Sequence, residues 1–271
     1  MTCDSVPVTH QPTQEGFDPA AHGFDPARPD SDLAASFGLA ADVYERGRPS
    51  YPLEAVDWLL PEGACHVVDL GAGTGKLTRL LLDRAPSVTA VEPSPGMRAT
   101  LEQVVPGATS VAGSAESIPL GDDSVDAVLV AQAWHWVDTD RAVPEIARVL
   151  RPGGTLGLIW NIRDESVPWV AELSRVMHQP RERDMGSDAP VVGAPFGTVE
   201  RHDVAWVHEL GRDEFLAMIA SRSYVITLSP DDRAAVLRDV EQLLDTHPDT
   251  RGVDLIRLPY VARCSRAVLP S

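Results

Sequence analysis

The chain has 271 residues, 44% hydrophobic and 23% charged, enough for one large domain or a domain with an added lobe. A formal net charge of −17 argues against a nucleic-acid partner, whose phosphates an acidic surface repels. The three cysteines (Cys3, Cys65, Cys264) are odd in number and widely spaced, the N-terminus shows neither a basic nor an apolar region and no window holds 18 uninterrupted apolar residues, so no disulfide framework, zinc site, secretory signal or membrane span is expected and a reducing cytoplasm fits.

Residues 1–30 are rich in Pro, Asp, Ala and Gly without apolar periodicity, and are expected to be a disordered tail. Residues 31–271 read as a single domain. Two helices are expected over 31–60, the first ending near Gly47 and the second beginning at Pro52, where proline suits a helix start. Strands and helices then alternate. HVVDL (His66–Leu70) is an apolar run closing on an acid, as in a buried parallel strand. KLTRLLLDRA (Lys76–Ala85) puts Leu77, Leu80 and Leu81 on one helical face. VTAVEP (Val88–Pro93) is a second strand, and Ser94 can cap a helix opening at Pro95. TSVAG (Thr109–Gly113) and VDAVLVAQA (Val125–Ala133) are the third and fourth strands. A helix over Asp140–Leu150 follows, then an RPGG turn and a fifth strand, Thr155–Asn161. This rhythm predicts an α/β fold with a mostly parallel sheet, its core over residues 61–164.

Beyond Asn161 the pattern changes. VPWVAELSRVM is helical, residues 179–199 form a loop rich in Pro and Gly, and His202–Leu210 alternates as a strand. Two helical stretches, Arg212–Arg222 and Pro230–Leu244, precede a last strand over Val253–Ser265. The helices between these two strands are expected to form a cap over the C-terminal edge of the sheet, within a C-terminal portion spanning 165–271.

The chemistry centres on the loop Gly71-Ala72-Gly73-Thr74-Gly75 after the first strand, where open parallel sheets bind ligands. A phosphate-binding P-loop would need a glycine at position 70 and Ser or Thr after Lys76; Leu70 and Leu77 stand there, which leaves Lys76 a solvated residue of the first helical turn. A dinucleotide fingerprint would need a third glycine at position 76, although the acid it requires further on is present as Glu92. S-adenosylmethionine is the third option. Its ribose hydroxyls suit Glu92, and its two positive charges suit an acidic site that includes Asp69.

VDLGAGTGKLT, VEPSPGM, GSAESIPLGDDSVDAVLVAQAWHWVD and VLRPGGTLGLIWN occur in that order. Together they resemble the class I S-adenosylmethionine-dependent methyltransferases, most of all the small-molecule group that includes the trans-aconitate methyltransferase-like proteins. The likeness spans residues 36–164, including the lead-in YERGRPSYP. It implies a Rossmann-like seven-stranded sheet with helices on both faces, S-adenosylmethionine as cofactor, no metal, and a small-molecule acceptor. Gly71, Ala72 and Gly73, with Thr74 in the same loop, would line the methionine moiety with Asp69 behind them. Glu92 would take the ribose hydroxyls and Met97 would pack on adenine. Many relatives carry Asp where this chain has Ser114, so adenine would be read by Ser114, Ala115 and Glu116. Gln132 and Ala133 would face the methionine end. The segment holding Tyr44, Arg48 and Tyr51 folds over the cofactor in relatives.

Methyl transfer is an in-line displacement in which the protein chiefly aligns the acceptor. AWHWVD (Ala133–Asp138) follows the fourth strand, so Trp134 and Trp136 are candidate pocket walls and His135 a candidate base or hydrogen-bond donor. Asn161 ends the fifth strand and is a candidate acceptor contact. Arg48 and Arg222 are candidate partners for a carboxylate, which makes an acidic acceptor and O-methylation the expected chemistry. Each residue also has a plain structural reading: loop satisfaction for Asp69, core packing for Met97 and the tryptophans, a solvated acid for Glu116, a turn for Asn161. A nucleotide-dependent oxidoreductase and a non-catalytic cofactor-binding protein are the competing functions.

Overall fold

A computed structural model describes residues 48–177, 190 and 192–271. The expected tail, the expected helix before Gly47 and the candidate Tyr44 lie outside the described residues. Seven strands form one sheet: β1 (His66–Leu70), β2 (Ser87–Val91), β3 (Thr109–Val111), β4 (Val125–Ala131), β5 (Leu150–Arg163), β6 (Glu200–Gly211) and β7 (Leu255–Val268). Their order is β3-β2-β1-β4-β5-β7-β6. β1 to β5 pair in parallel, while β7 runs antiparallel to both β5 and β6. This is the mostly parallel seven-stranded sheet expected from the alternation. The order reverses between β1 and β4, which opens a crevice beyond their C-terminal ends.

The apolar runs in β1 and β4 are explained by burial on both faces. Val67, Ala127 and Leu129 point to one side with Leu59 of α1 (Leu53–Leu59) and Leu77 and Leu81 of α2 (Lys76–Leu81). Val68, Leu70, Val128 and Val130 point to the other, against Val143, Ile146 and Val149 of α4 (Thr139–Val149). α3 (Pro95–Val104) has Pro95 at its start and Ser94 as its cap, whose Oγ accepts from the Met97 amide. Its Leu101 packs on Ala90 and Ala72, which brings it beneath the glycine loop.

Several strand ends differ from expectation, two of them for a reason visible in the backbone. β4 stops at Ala131 because Gln132 turns to a left-handed φ of +57°. β5 starts before the RPGG turn: Leu150 pairs with Val125, then Thr155 with Ala127, so the intervening residues bulge out of the ladder. Gly153, at φ +80°, supplies the backbone conformation that such a bulge requires.

The C-terminal helices are inserted between β6 and β7, as the pattern predicted: α6 (Arg212–Ala220), α7 (Ser223–Ile226) and α8 (Pro230–Thr246). The β6–β7 ladder continues beyond the last β5 pair, Arg163 with Tyr260, out to Gly211 with Leu255. That overhang carries the cap past the C-terminal edge of the sheet. The cap has its own core, in which Phe215, Met218, Val240 and Leu244 meet Trp169 and Leu173 of α5 (Pro168–Val176) and Leu258 and Tyr260 of β7. Among the described residues no helix is long and apolar enough to cross a membrane, and no cluster of His, Cys, Asp and Glu could hold a metal ion.

Candidate functional site

The glycine loop takes its shape from three left-handed residues, Gly71, Gly73 and Gly75, at φ +70°, +57° and +89°. Amides of Gly71 and Ala72 both donate to the Val91 carbonyl, at 2.8 and 3.2 Å, which ties the loop to β2. A side chain at Gly71 would meet the Ala133 Cβ at 3.0 Å, so Ala133 backs the loop. A side chain at Gly73 would meet nothing within 4 Å. Gly73 therefore presents bare backbone to open space, the form of a ligand cradle.

Two acids stand behind this cradle. Glu92, at the end of β2, is buried, with one carboxylate oxygen accepting from the Gly73 amide at 2.9 Å and the other from the Ser94 amide at 2.8 Å. Burial raises its pKa above the ordinary carboxylate range, opposed by these two amides and by the Arg98 charge. Asp69 is fully buried at the end of β1. Its Oδ2 accepts from Thr78 Oγ1 at 2.5 Å, while Oδ1 has no hydrogen-bond partner among the described residues. Burial pushes its pKa up to about 7, with the Thr78 bonds pulling it down and Glu92 adding to the rise.

Beside the loop is a cavity. Asp69, Gly71, Ala72, Gly73, Thr74 and Gln132 line its inner side, and Arg48, Tyr51, Asn161, Arg222 and Tyr260 its outer side. The structure thus brings nine of the sequence candidates to one space: Arg48, Asp69, Gly71, Ala72, Gly73, Thr74, Gln132, Asn161 and Arg222. Gln132 is held there at strain, in a conformation rare outside glycine, with its Nε2 donating to the Asn161 carbonyl at 3.3 Å. Asn161 is engaged at both ends of its amide: its Nδ2 donates to the Ser50 carbonyl at 2.8 Å and its Oδ1 accepts from Trp206 Nε1 at 3.1 Å. It therefore fastens the N-terminal segment to the sheet. Lys76, expected to be solvated, also lines the cavity.

The other candidates are placed elsewhere. Met97 is buried on α3. Ser114 and Ala115 lie in the loop after β3, where Ser114 exchanges amide–carbonyl bonds with Ser117 at 3.2 Å and its buried Oγ has no hydrogen-bond partner among the described residues. Glu116 is not a free solvated acid, since its Oε1 accepts from the Asp138 amide at 3.0 Å. Trp134 is buried in the core on the α4 face. His135 is exposed, its ring against Trp136 at 4.5 Å between centroids, and is not among the cavity-lining residues. The short 3-10 turn Trp134–Trp136 anchors through Trp134 and turns its other two rings outward.

Sequence reasoning missed Tyr260 on the outer side of the cavity and the Trp206 ring stacked on it. Tyr260 and Trp206 stack at 5.5 Å between centroids, 23° from parallel, and Tyr260 Oη accepts from Arg222 Nη2 at 2.9 Å. His208, two residues beyond Trp206 on the same face of β6, is shifted below the ordinary imidazole range by burial and by the Lys76 and Arg222 charges, against Glu214. Two aromatic residues two positions apart on an edge strand, Trp206 and His208, were the available signal.

The arrangement fits a ligand with cationic, hydroxyl and amide-like parts. Asp69 Oδ1 is a buried acceptor without a hydrogen-bond partner among the described residues, Glu92 has lone pairs left for hydroxyls, and Ser114 Oγ is an unused polar atom in the third motif.

Comparison with known proteins agrees with this geometry. Residues 68–158 match the family model of the methyltransferase domain. An uncharacterised methyltransferase of Mycobacterium tuberculosis is 52% identical over 238 residues, 88% of this chain and 97% of the relative. A malonyl-[acyl-carrier protein] O-methyltransferase of Methylococcus capsulatus is 39% identical over 137 residues, 46% of this chain and 49% of that enzyme. Among solved structures, a protein of Anaeromyxobacter dehalogenans classed with the type II methyltransferases aligns with a TM-score of 0.67 at 24% identity, covering 83% of this chain and 99% of that one.

Proposed function

This chain belongs to the S-adenosylmethionine-dependent methyltransferases, and from that premise we propose that it methylates an oxygen of a small acidic molecule. The observation that carries the reading is the contact between Gly73 and Glu92: a bare backbone turn and a buried strand-end carboxylate joined at 2.9 Å. Bound there, S-adenosylmethionine supplies an electrophilic methyl group on a sulfonium centre. The residues do the rest. Backbone of Gly71–Gly73 lines the methionine end, Asp69 Oδ1 faces its ammonium group, and Glu92 accepts from the ribose hydroxyls. Ser114 and Ala115 meet the adenine edge, with Met97 against its ring.

Arg48 and Arg222 line the outer side of the cavity, and arginine is the side chain suited to grip a carboxylate through two hydrogen bonds. An acceptor carboxylate is drawn to that side and arrives already ionised, so its oxygen attacks without a general base. His135, exposed outside the cavity, is not needed for such a step. The limited match to the malonyl-[acyl-carrier protein] O-methyltransferase supports an oxygen acceptor.

Calorimetric titration with S-adenosylhomocysteine tests the reading. Tight binding is expected, and Glu92→Ala should weaken it by about 10- to 100-fold, the worth of hydrogen bonds to a charged group. Binding of NAD in its place would favour an oxidoreductase. Tight binding without labelled-methyl transfer to any of a panel of acids, phenols and amines would favour a non-catalytic role.

A further inference from the structure

Thr78 is fully buried at the third position of α2, beside the core residue Leu77. An apolar side chain would pack there with no polar group to satisfy, so the hydroxyl calls for a reason. In a helix a threonine can return its proton to a carbonyl of the preceding turn. Here Oγ1 donates instead to Asp69 Oδ2, nine residues earlier, at 2.5 Å. Asp69 shares its face of β1 with Val67, the face on which Leu77 and Leu81 of α2 pack, so strand and helix bring the two groups together.

That bond divides the carboxylate in two. Oδ2 is spent on Thr78, whose amide adds to the pull of its hydroxyl. Oδ1 is buried as well but has no hydrogen-bond partner among the described residues, and Asp69 lines the cavity. A buried carboxylate oxygen without a donor is costly, and a cation entering from the cavity offsets that cost. A carboxyl group turns about its last bond with little preference, and the Thr78 bond stops that turning.

We propose that Thr78 is a positioning residue for the amino-acid end of the cofactor: its hydroxyl holds Asp69 so that one carboxylate oxygen stays inside the fold and the other is kept for the ammonium group. The inference rests on the methyltransferase reading of the same site and adds to it a residue that acts through Asp69. A carboxylate fixed in advance loses no rotational freedom when the ligand arrives. The hydroxyl also favours the ionised form of Asp69, against burial and against the charge of Glu92 on β2. The other ionisable side chains lining the cavity are Lys76 of α2, Arg48 and Tyr51 of the N-terminal segment, and Arg222 and Tyr260 on the outer side. A change confined to Thr78 leaves all of these in place.

The protein is titrated calorimetrically with S-adenosylhomocysteine and with 5′-methylthioadenosine, which keeps adenine and ribose but has no amino-acid end. Thr78→Val keeps the shape and loses the hydroxyl. It should weaken S-adenosylhomocysteine about 10-fold, the worth of a hydrogen bond to a charged group, and leave 5′-methylthioadenosine unchanged. Between about pH 6 and about pH 8 its binding of S-adenosylhomocysteine should strengthen at a higher pH than in wild type, because the lost hydroxyl no longer favours the charged carboxylate. Thr78→Ser should restore both the affinity and the pH dependence. Thr78→Ala carries the same expectation as Thr78→Val if the valine variant does not fold. The proposal is overturned if removing the hydroxyl leaves S-adenosylhomocysteine binding or its pH dependence as in wild type, or if serine fails to restore them. Equal loss of both ligands also overturns it, because the role would then be structural. Failure of wild-type protein to bind S-adenosylhomocysteine removes the methyltransferase reading itself, and the inference with it.

Discussion

Asp69 must ionise where water does not reach. Its pKa of about 7 in the fold lies above the ordinary value of 3.8, so between these two pH values the folded chain binds more protons than the unfolded one. Stability from this group is therefore full below about pH 4 and declines as pH rises to about 7, by an amount on the order of 4 kcal/mol at most. Asp69→Asn keeps an acceptor for Thr78 and removes the buried charge. It should melt higher than wild type at about pH 8 and equally at about pH 4, as scanning calorimetry would show, and it should lose cofactor affinity. A cationic ligand beside Asp69 favours its charged form, so cofactor binding near neutral pH should release protons. Heats that depend on the ionisation enthalpy of the buffer would reveal this. At this scale the sequence was legible where residue type announces geometry: glycines at positions 71, 73 and 75, and a serine cap at 94. Gln132 was legible only as a residue near the cofactor, because nothing in a glutamine signals a left-handed backbone.

The loop between β3 and β4 has little secondary structure of its own, yet it carries Ser114–Glu116. α4 holds it in place. Glu145 Oε1 accepts from the Ile118 amide at 2.8 Å, and Arg148 donates to the Leu120 and Ile118 carbonyls at 2.9 and 3.0 Å. Arg148 also pairs with Asp122 and Glu145, at 2.6 and 2.8 Å, and its guanidinium holds the Glu145 carboxyl below the usual range. One planar fork thus satisfies several carbonyls and carboxylates of a loop that a helix cannot otherwise reach. Arg148→Ala should speed hydrogen exchange of amides 114–120 and weaken S-adenosylhomocysteine binding by about 3- to 10-fold, with acceptor affinity unchanged. Equal exchange rates in the two proteins would refute this. The seven strands were readable because buried parallel strands need uninterrupted apolar runs and the edge strand β6 alternates. The helix-to-loop pinning was not readable, because it depends on partners some 30 residues apart that no local pattern links.

Over the whole molecule, a formal charge of −17 surrounds a cavity lined by Arg48, Lys76 and Arg222. Self-repulsion of the acidic surface opposes compactness, and salt screens it. The melting temperature should therefore rise between about 20 and about 200 mM sodium chloride, and a flat or falling trend would contradict the argument. The cofactor side of the site was visible in the sequence because it lies in consecutive motifs from Asp69 to Gln132. Across the cavity Arg48, Asn161 and Arg222 were named one by one from residue type, but that they meet Tyr260 there was not readable, because they converge only through strand order and through the overhang of β6 and β7.

That split has a consequence for how such a protein changes. The family model stops at residue 158, before the strands and helices that carry Trp206, Arg222 and Tyr260. On the proposed reading, the handle that would grip the donor lies within that matched length, and much of the glove that would fit the recipient lies in the polypeptide beyond it. A lineage can re-tailor the glove, exchanging one clientele for another, and leave the handle untouched.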